Sequence, residues 1–145
     1  RFAPRGSCLF HPRKTDIDNR RATEMSAALA SNFMTIFEKI IAREIPAKVI
    51  WEDDDAIAFH DVNPQAPVHV LIVPKKVIPR LKDATEASQP ILGKLLLVAR
   101  DIAKKLGVEE SGYRVVINSG PDAGESVPHL HVHLLGKRAL AWPPG

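Results

Sequence analysis

Long apolar runs are missing from this 145-residue chain. No stretch approaches the ~20 residues that a helix needs to span a bilayer, so no membrane-spanning helix is expected. Cysteine is almost absent, with Cys8 the single thiol. One cysteine excludes an intramolecular disulfide and leaves no basis for a thiolate metal site, which suits a reducing compartment. Internal repeats and Cys/His finger spacings are also lacking. Charge imbalance is missing from most of the chain: Arg1, Arg5, Arg13, Lys14, Arg20 and Arg21 outnumber Asp16, Asp18 and Glu24 by the whole net charge of +3, and the remainder is balanced. The basic character therefore belongs to the first 24 positions, and no nucleic-acid binding is inferred for the folded part.

What is present fits one domain with a sizeable core, since a chain of this length buries roughly 68–70% of its unfolded surface. Residues 1–32 mix Pro, Arg, Ser and Ala without apolar period and are expected to form a poorly ordered arm, with the folded domain spanning 33–145. The first fifteen positions carry Arg and no acid, like an organellar transit peptide. The chain begins with Arg, and Met25-Ser26-Ala27-Ala28 reads as a native start. Residues 1–24 are thus read either as a targeting segment or as an upstream or appended one.

Within the domain, Ile36, Phe37, Ile40 and Ile41 predict a short helix through Thr35–Glu44, stopped by Pro46. Strands are expected at Lys48–Trp51 and Ala56–His60, flanking the acidic turn Glu52-Asp53-Asp54-Asp55, and at Val68–Val73 after the stiff loop Asn63–Pro67. A long helix from Ser88 or Pro90 to Leu106 carries Ile91, Leu92, Leu95, Leu96, Ala99, Ile102 and Leu106 on one face, with Gly107 as its cap. Further strands are expected at Tyr113–Ile117 and Pro128–Leu135. The pattern is α+β: an antiparallel meander of about five strands with one long and one short helix.

Chemistry concentrates in His129-Leu130-His131-Val132-His133-Leu134-Leu135. Strand side chains alternate, so the three imidazoles share one surface while Leu130, Val132 and Leu134 face a core. The bland reading is a solvated or hydrogen-bonded strand face. A metal site is a second reading, but with a rise of ~3.3 Å per residue His129 and His133 stand about 13 Å apart, too far for one ion with ligand bonds near ~2 Å. A two-histidine site completed by His60 or His69 stays open. A phosphate-reactive site is the third reading, with imidazole as nucleophile and donor. The preceding loop, Asn118-Ser119-Gly120-Pro121-Asp122-Ala123-Gly124-Glu125-Ser126, supports it, because Gly120 and Gly124 permit positive φ and amides that cradle an anion.

The His-x-His-x-His motif followed by two apolar residues resembles the defining motif of the histidine triad superfamily of nucleotide hydrolases and transferases. The resemblance extends over roughly residues 35–145, through Phe59-His60-Asp61, Pro64–His69, Pro74-Lys75-Lys76, Gly112-Tyr113-Arg114 and Trp142-Pro143-Pro144-Gly145. That combination is similar to the histidine triad nucleotide-binding branch, also called protein kinase C inhibitor-like proteins. It implies a metal-free, cofactor-free hydrolase of purine nucleoside 5′-phosphoramidates, of the adenosine phosphoramidate or AMP-lysine type. The alternatives are a nucleotide-binding or scaffold module with weak turnover and a dinucleoside polyphosphate hydrolase.

By the same resemblance, His131 attacks the α-phosphorus, His133 and the amides around Gly124–Ser126 hold phosphate oxygens, and His129 and His69 position His131. Ser126 bonds the leaving nitrogen. Asp61 takes the ribose hydroxyls; on residue type alone it is a turn residue before Asn63-Pro64. Ile36, Phe37, Ile40, Phe59, Val62 and Leu71 line the base pocket, although periodicity alone makes them core. Asn118, Gly124, Glu125 and Trp142 complete the nucleotide set. His60 is expected to face away, and His11 to have no role. The resemblance also implies a two-fold homodimer in which the C-terminus reaches the partner's site, a purine nucleotide ligand, no membrane or nucleic-acid partner, and a cytoplasmic or nuclear setting, with organellar targeting by residues 1–24 left open. Two positions depart from the family pattern. Glu125 stands where glutamine is usual, and its carboxylate is expected to repel phosphate. Pro128 stands where an aromatic is common.

Overall fold

Aliphatic and β-branched residues crowd five short segments, and each becomes a strand of one antiparallel sheet. The computed structural model describes residues 34–144. The arm expected at residues 1–32, with Cys8, His11 and the Met25 start, lies outside the described residues, as does Gly145. The strands are β1 (Val49–Glu52), β2 (Ala56–His60), β3 (Val68–Pro74), β4 (Tyr113–Val116) and β5 (Val132–Gly136), in spatial order β1-β2-β3-β5-β4. Helix α1 (Ile36–Ile41) precedes the sheet and α2 (Gln89–Lys105) connects β3 to β4. No helix among the described residues is long and apolar enough to cross a membrane.

The expected strand count, antiparallel sense and pair of helices are present, and the fold is α+β. The order differs from a plain meander at its end. The connection through α2 delivers β4 to the sheet edge, and β5 then returns between β3 and β4. The histidine segment is thereby central rather than peripheral.

β3 is buried along all seven residues, which separates two cores. On one side, Ala56, Ala58, Val70, Ile72, Leu130, Val132 and Leu134 pack against Leu95, Val98, Ala99 and Ile102 of α2. On the other, Ile57, Phe59, Leu71 and Val73 pack against Phe37 and Ile40 of α1. Two lysines pair with the acidic turn between β1 and β2: Lys94 reaches Asp53 at 2.6 Å and Asp55 at 2.5 Å, and Lys75 meets Glu52 at 2.9 Å.

The short helix owes its start to a capping box. The Thr35 hydroxyl accepts from the Glu38 amide, and the Glu38 carboxylate accepts from the Thr35 amide. Six residues are marginal as an isolated helix. Packing of Phe37 and Ile40 on the sheet therefore maintains α1.

Candidate active site

The three histidines do share one face, the one covered by α1. The hydrogen-bonded ladder begins only at Val132, so the strand expected from Pro128 starts late. His129 lies in a bend, and His131 immediately precedes the ladder. Pro128 has no N–H to add to a ladder, the His129 amide closes a tight turn onto the Val127 carbonyl at 2.8 Å, and the Leu130 amide bonds Ile78 at 2.7 Å.

Each imidazole has a distinct hydrogen-bond environment, and the partners dictate where its proton sits. His131 Nδ1 lies 2.8 Å from the backbone carbonyl of His129. A carbonyl only accepts, so Nδ1 carries the proton and Nε2 keeps a free lone pair. The Phe37 ring stands edge-on to His131 at 4.9 Å and holds its orientation.

His129 is fully buried. Its Nε2–H donates to the Pro74 carbonyl at 2.8 Å, and its Nδ1 accepts from the Thr35 hydroxyl at 3.2 Å. The side chain thus ties α1, β3 and the triad together, while its backbone oxygen orients His131.

His69 reaches His133 rather than His131. The register pairs Leu71 with His133 and His69 with Leu135, which makes His69 and His133 diagonal neighbours on one face. The Gln65 amide donates to His69 Nδ1 at 3.0 Å, so the His69 proton is on Nε2, 2.9 Å from His133 Nδ1. His133 must then present a protonated Nε2. That atom is buried and has no protein partner among the described residues.

Burial lowers the His133 pKa from 6.5 to about 4, reinforced by the neighbouring imidazoles His131 and His69. Burial also lowers His69, against the opposing pull of Asp61, and lowers His129. The Asp61 Oδ2–His69 Nε2 approach of 3.4 Å therefore joins a carboxylate to a neutral ring. Linkage gives a checkable consequence. Between pH 6.5 and about 4 the unfolded chain protonates this imidazole and the folded chain does not. Stability is full above pH 6.5 and declines as pH falls through that window. Urea midpoints at neutral and mildly acid pH should show a shallower decline for His133→Gln than for wild type; an undiminished decline contradicts a neutral buried ring.

The other expected residues divide into three groups. Phe37, Ile40, Phe59 and Leu71 are buried together beside the triad. Ile36, Val62 and Trp142 are exposed, at 47%, 94% and 85%, and none lies within that cluster. Asp61 has two tasks: Oδ1 accepts from the Asn63 amide at 2.8 Å, as a turn residue does, and Oδ2 faces His69. Asn118 is half-buried just past β4, and Ser126 is exposed in the loop before the triad. His60 follows Phe59 on β2 and so points to the opposite face.

Glu125 departs most from expectation. Its carboxylate accepts from Arg80 Nε at 2.8 and 3.0 Å and from the Gly120 amide at 2.7 Å. The Gly120 amide, with help from Arg80, holds the carboxyl below the usual range. The feared repulsion is met by a neighbouring guanidinium. Gly120 and Gly124 have φ of +89° and +74°, the left-handed conformations that glycine tolerates.

Sequence reasoning missed Thr35, Gln65, Pro74 and Arg80. The Thr-x-x-Glu spacing of Thr35 and Glu38 was a readable signal for a cap. The others act through backbone groups or across 45 residues, and nothing local announces them.

The HIT domain profile matches residues 42–140. The chain belongs to the HIT domain family. Among HIT relatives, a protein of Zea mays described as a 14 kDa zinc-binding protein is 52% identical over 128 residues, covering 86% of this chain and 99% of that one. A HIT family hydrolase from Legionella pneumophila superposes with a TM-score of 0.76 at 44% identity, covering 77% of this chain and all of that one. A histidine triad nucleotide-binding protein from Candida albicans gives 0.65 at 32% identity, over 76% and 83% of the two chains.

One relative is described as zinc-binding, and three side chains here stand close enough to meet at an ion. Asp61, His69 and His133 bring one ligand atom each within 4.8 Å of one another. His69 Nε2 and His133 Nδ1 already bond each other. An ion would displace that proton and release the constraint on His133 Nε2. The three side chains fit a divalent ion only at the expense of the histidine relay.

Proposed function

We propose that this HIT protein hydrolyses purine nucleoside 5′-phosphoramidates through a nucleotidyl-histidine intermediate. The observation that carries the proposal is the opposite protonation of two neighbouring rings. His131 offers a lone pair at Nε2 and His133 offers a proton at Nε2, with ring centroids 4.8 Å apart. A nucleophile and an oxyanion donor in one patch suit attack on phosphorus.

In the first step His131 Nε2 forms a bond to the α-phosphorus as the P–N bond to the leaving amine breaks. The leaving nitrogen gains a proton by way of the Ser126 hydroxyl. His131 then carries positive charge, which the His129 carbonyl stabilises at Nδ1. Water next attacks phosphorus and gives one proton back along the Ser126 hydroxyl path, replacing the one the amine took; the N–P bond breaks, and the nucleoside monophosphate leaves with neutral His131 restored. His133 holds a phosphate oxygen throughout. Its own proton is fixed by His69, and His69 by the Gln65 amide.

Phe37, Ile40, Phe59 and Leu71 form the apolar wall for a purine, with Ile36 and Val62 at its rim. Asp61 Oδ2 takes the ribose hydroxyls; Asn118 and the Ser126 backbone approach the phosphate, while Gly124 and Glu125, whose amides bond Pro121 and Gly120, shape the loop that presents them. We assign the chain to a two-fold homodimer, supported by the exposed Leu96 and Leu97 on α2 and the edge position of β4. Trp142 would then reach the partner's nucleotide. The lone cysteine suits a reducing setting such as the cytoplasm or nucleus.

The decisive assay compares adenosine phosphoramidate with a diadenosine polyphosphate, each with and without EDTA. Phosphoramidate turnover should exceed the other by about tenfold or more and survive chelation. Preference for the polyphosphate would instead favour a dinucleoside polyphosphate hydrolase, and AMP binding without turnover a sensing module. The Asp61-His69-His133 grouping favours zinc as an inhibitor rather than a cofactor. Activity that requires zinc would overturn the metal-free mechanism.

A further inference from the structure

Glu125 was the residue most expected to harm phosphate binding, and its surroundings suggest the reverse. Its side chain is only 5% exposed, and three donor contacts converge on it. The Glu125 amide also donates to the Gly120 carbonyl at 3.2 Å. Gly120 and Glu125 are thus joined twice, closing a ring around the turn Pro121–Ala123. Within that ring the amides of Ala123 and Gly124 bond Gly120 and Pro121. The amides of Ser126 and Val127 make no backbone bond among the described residues. They lie between the tethered Glu125 and the first histidine, where an anion held by the triad would meet them.

The segment that supplies Arg80 runs alongside the loop and the triad. Its Pro74 carbonyl holds the His129 ring, its Ile78 carbonyl holds the Leu130 amide, and its Arg80 guanidinium holds Glu125. Three rungs therefore tie residues 74–80 to residues 125–130. Two secure the histidines, and the third secures the phosphate loop.

We propose that Arg80 is a positioning residue for the phosphate loop, acting through Glu125, and that the two form a matched pair. Arg80 cancels the carboxylate's charge beside the anion site. Glu125 uses that attachment to set where the Ser126 and Val127 amides point. A glutamine at position 125 would bring no charge to cancel, so Arg80 matters only because Glu125 is there. The inference rests on the nucleotide reading of the site.

The test is a double-mutant cycle on the full chain, read by calorimetric AMP affinity and by steady-state phosphoramidate kinetics. Arg80→Met should weaken AMP binding and raise KM about tenfold, because an uncompensated carboxylate faces the phosphate. It should leave kcat within about threefold, since His131 and His133 are untouched. Glu125→Gln combined with Arg80→Met should recover AMP affinity to within about threefold of Glu125→Gln alone. Arg80→Lys, which keeps the charge but loses the paired geometry, should fall between. A folded Arg80→Met protein with unchanged affinity and KM would overturn the proposal. So would strictly additive effects in the double variant. If wild-type protein bound no AMP, the nucleotide reading would fail, and hydrogen exchange at the Gly120 amide would judge the pairing separately. Exchange about fivefold faster in Arg80→Met supports it; unchanged exchange overturns it.

Discussion

His131→Asn should abolish phosphoramidate turnover, with a loss of about 10⁴-fold or more, while AMP binding and thermal midpoint stay near wild type. Asparagine keeps a nitrogen donor for the His129 carbonyl, which now accepts from His131 Nδ1 at 2.8 Å. It removes only the Nε2 lone pair. On the proposed reading, the loop, His133 and the apolar wall should still hold nucleotide. Rapid-quench mass spectrometry should find a nucleotidyl adduct on the wild-type chain at His131 and none on the variant. Substantial turnover in His131→Asn would end the covalent mechanism.

His129→Ala should have the complementary effect. The ring is fully buried and links the Pro74 carbonyl to the Thr35 hydroxyl. Truncation leaves a cavity and an unpaired buried carbonyl, costing about 3 kcal/mol and lowering Tm by roughly 10 °C. The backbone oxygen that orients His131 survives the substitution. Folded protein at low temperature should therefore keep kcat within about tenfold of wild type. Denaturation and kinetics on the same preparation check both halves. A stable but inactive His129→Ala protein would mean that the ring, not its carbonyl, acts on His131.

These two variants separate what the motif hides. Three identical side chains at alternate positions invite a shared role. Their partners give them different ones: a carbonyl on His131, a carbonyl and a hydroxyl on His129, another imidazole on His133. The differences arise because each ring meets a different piece of the fold.

Much of this molecule was legible because local period and local chemistry agree with it. Ala56–Phe59 alternates Ala, Ile, Ala and Phe between two cores, and the bounds of the strand follow from the acidic turn and Asp61 on either side. Helix α2 is marked by its apolar stripe, a Pro in its first turn and Gly107 past its end, where φ is +66°. The common face of His131 and His133 follows from the two-residue period of extended chain, whereas His129 meets Phe37 on that face from the bend before the ladder.

What the sequence could not reveal depends on contacts between distant segments. Strand β5 enters between β3 and β4 because the α2 crossover places β4 at the edge, and no local period encodes that order. His69 reaches His133 only because the register sets Leu71 opposite His133, one diagonal step away. Arg80 meets Glu125 only because residues 74–80 lie along the loop. By itself, then, the sequence determined the family, the elements and the shared histidine face, since these rest on short-range periodicity and on a motif. The tertiary structure alone decided which nitrogen of each imidazole carries its proton, and that Glu125 is tethered rather than exposed to phosphate, because register and packing choose the partners.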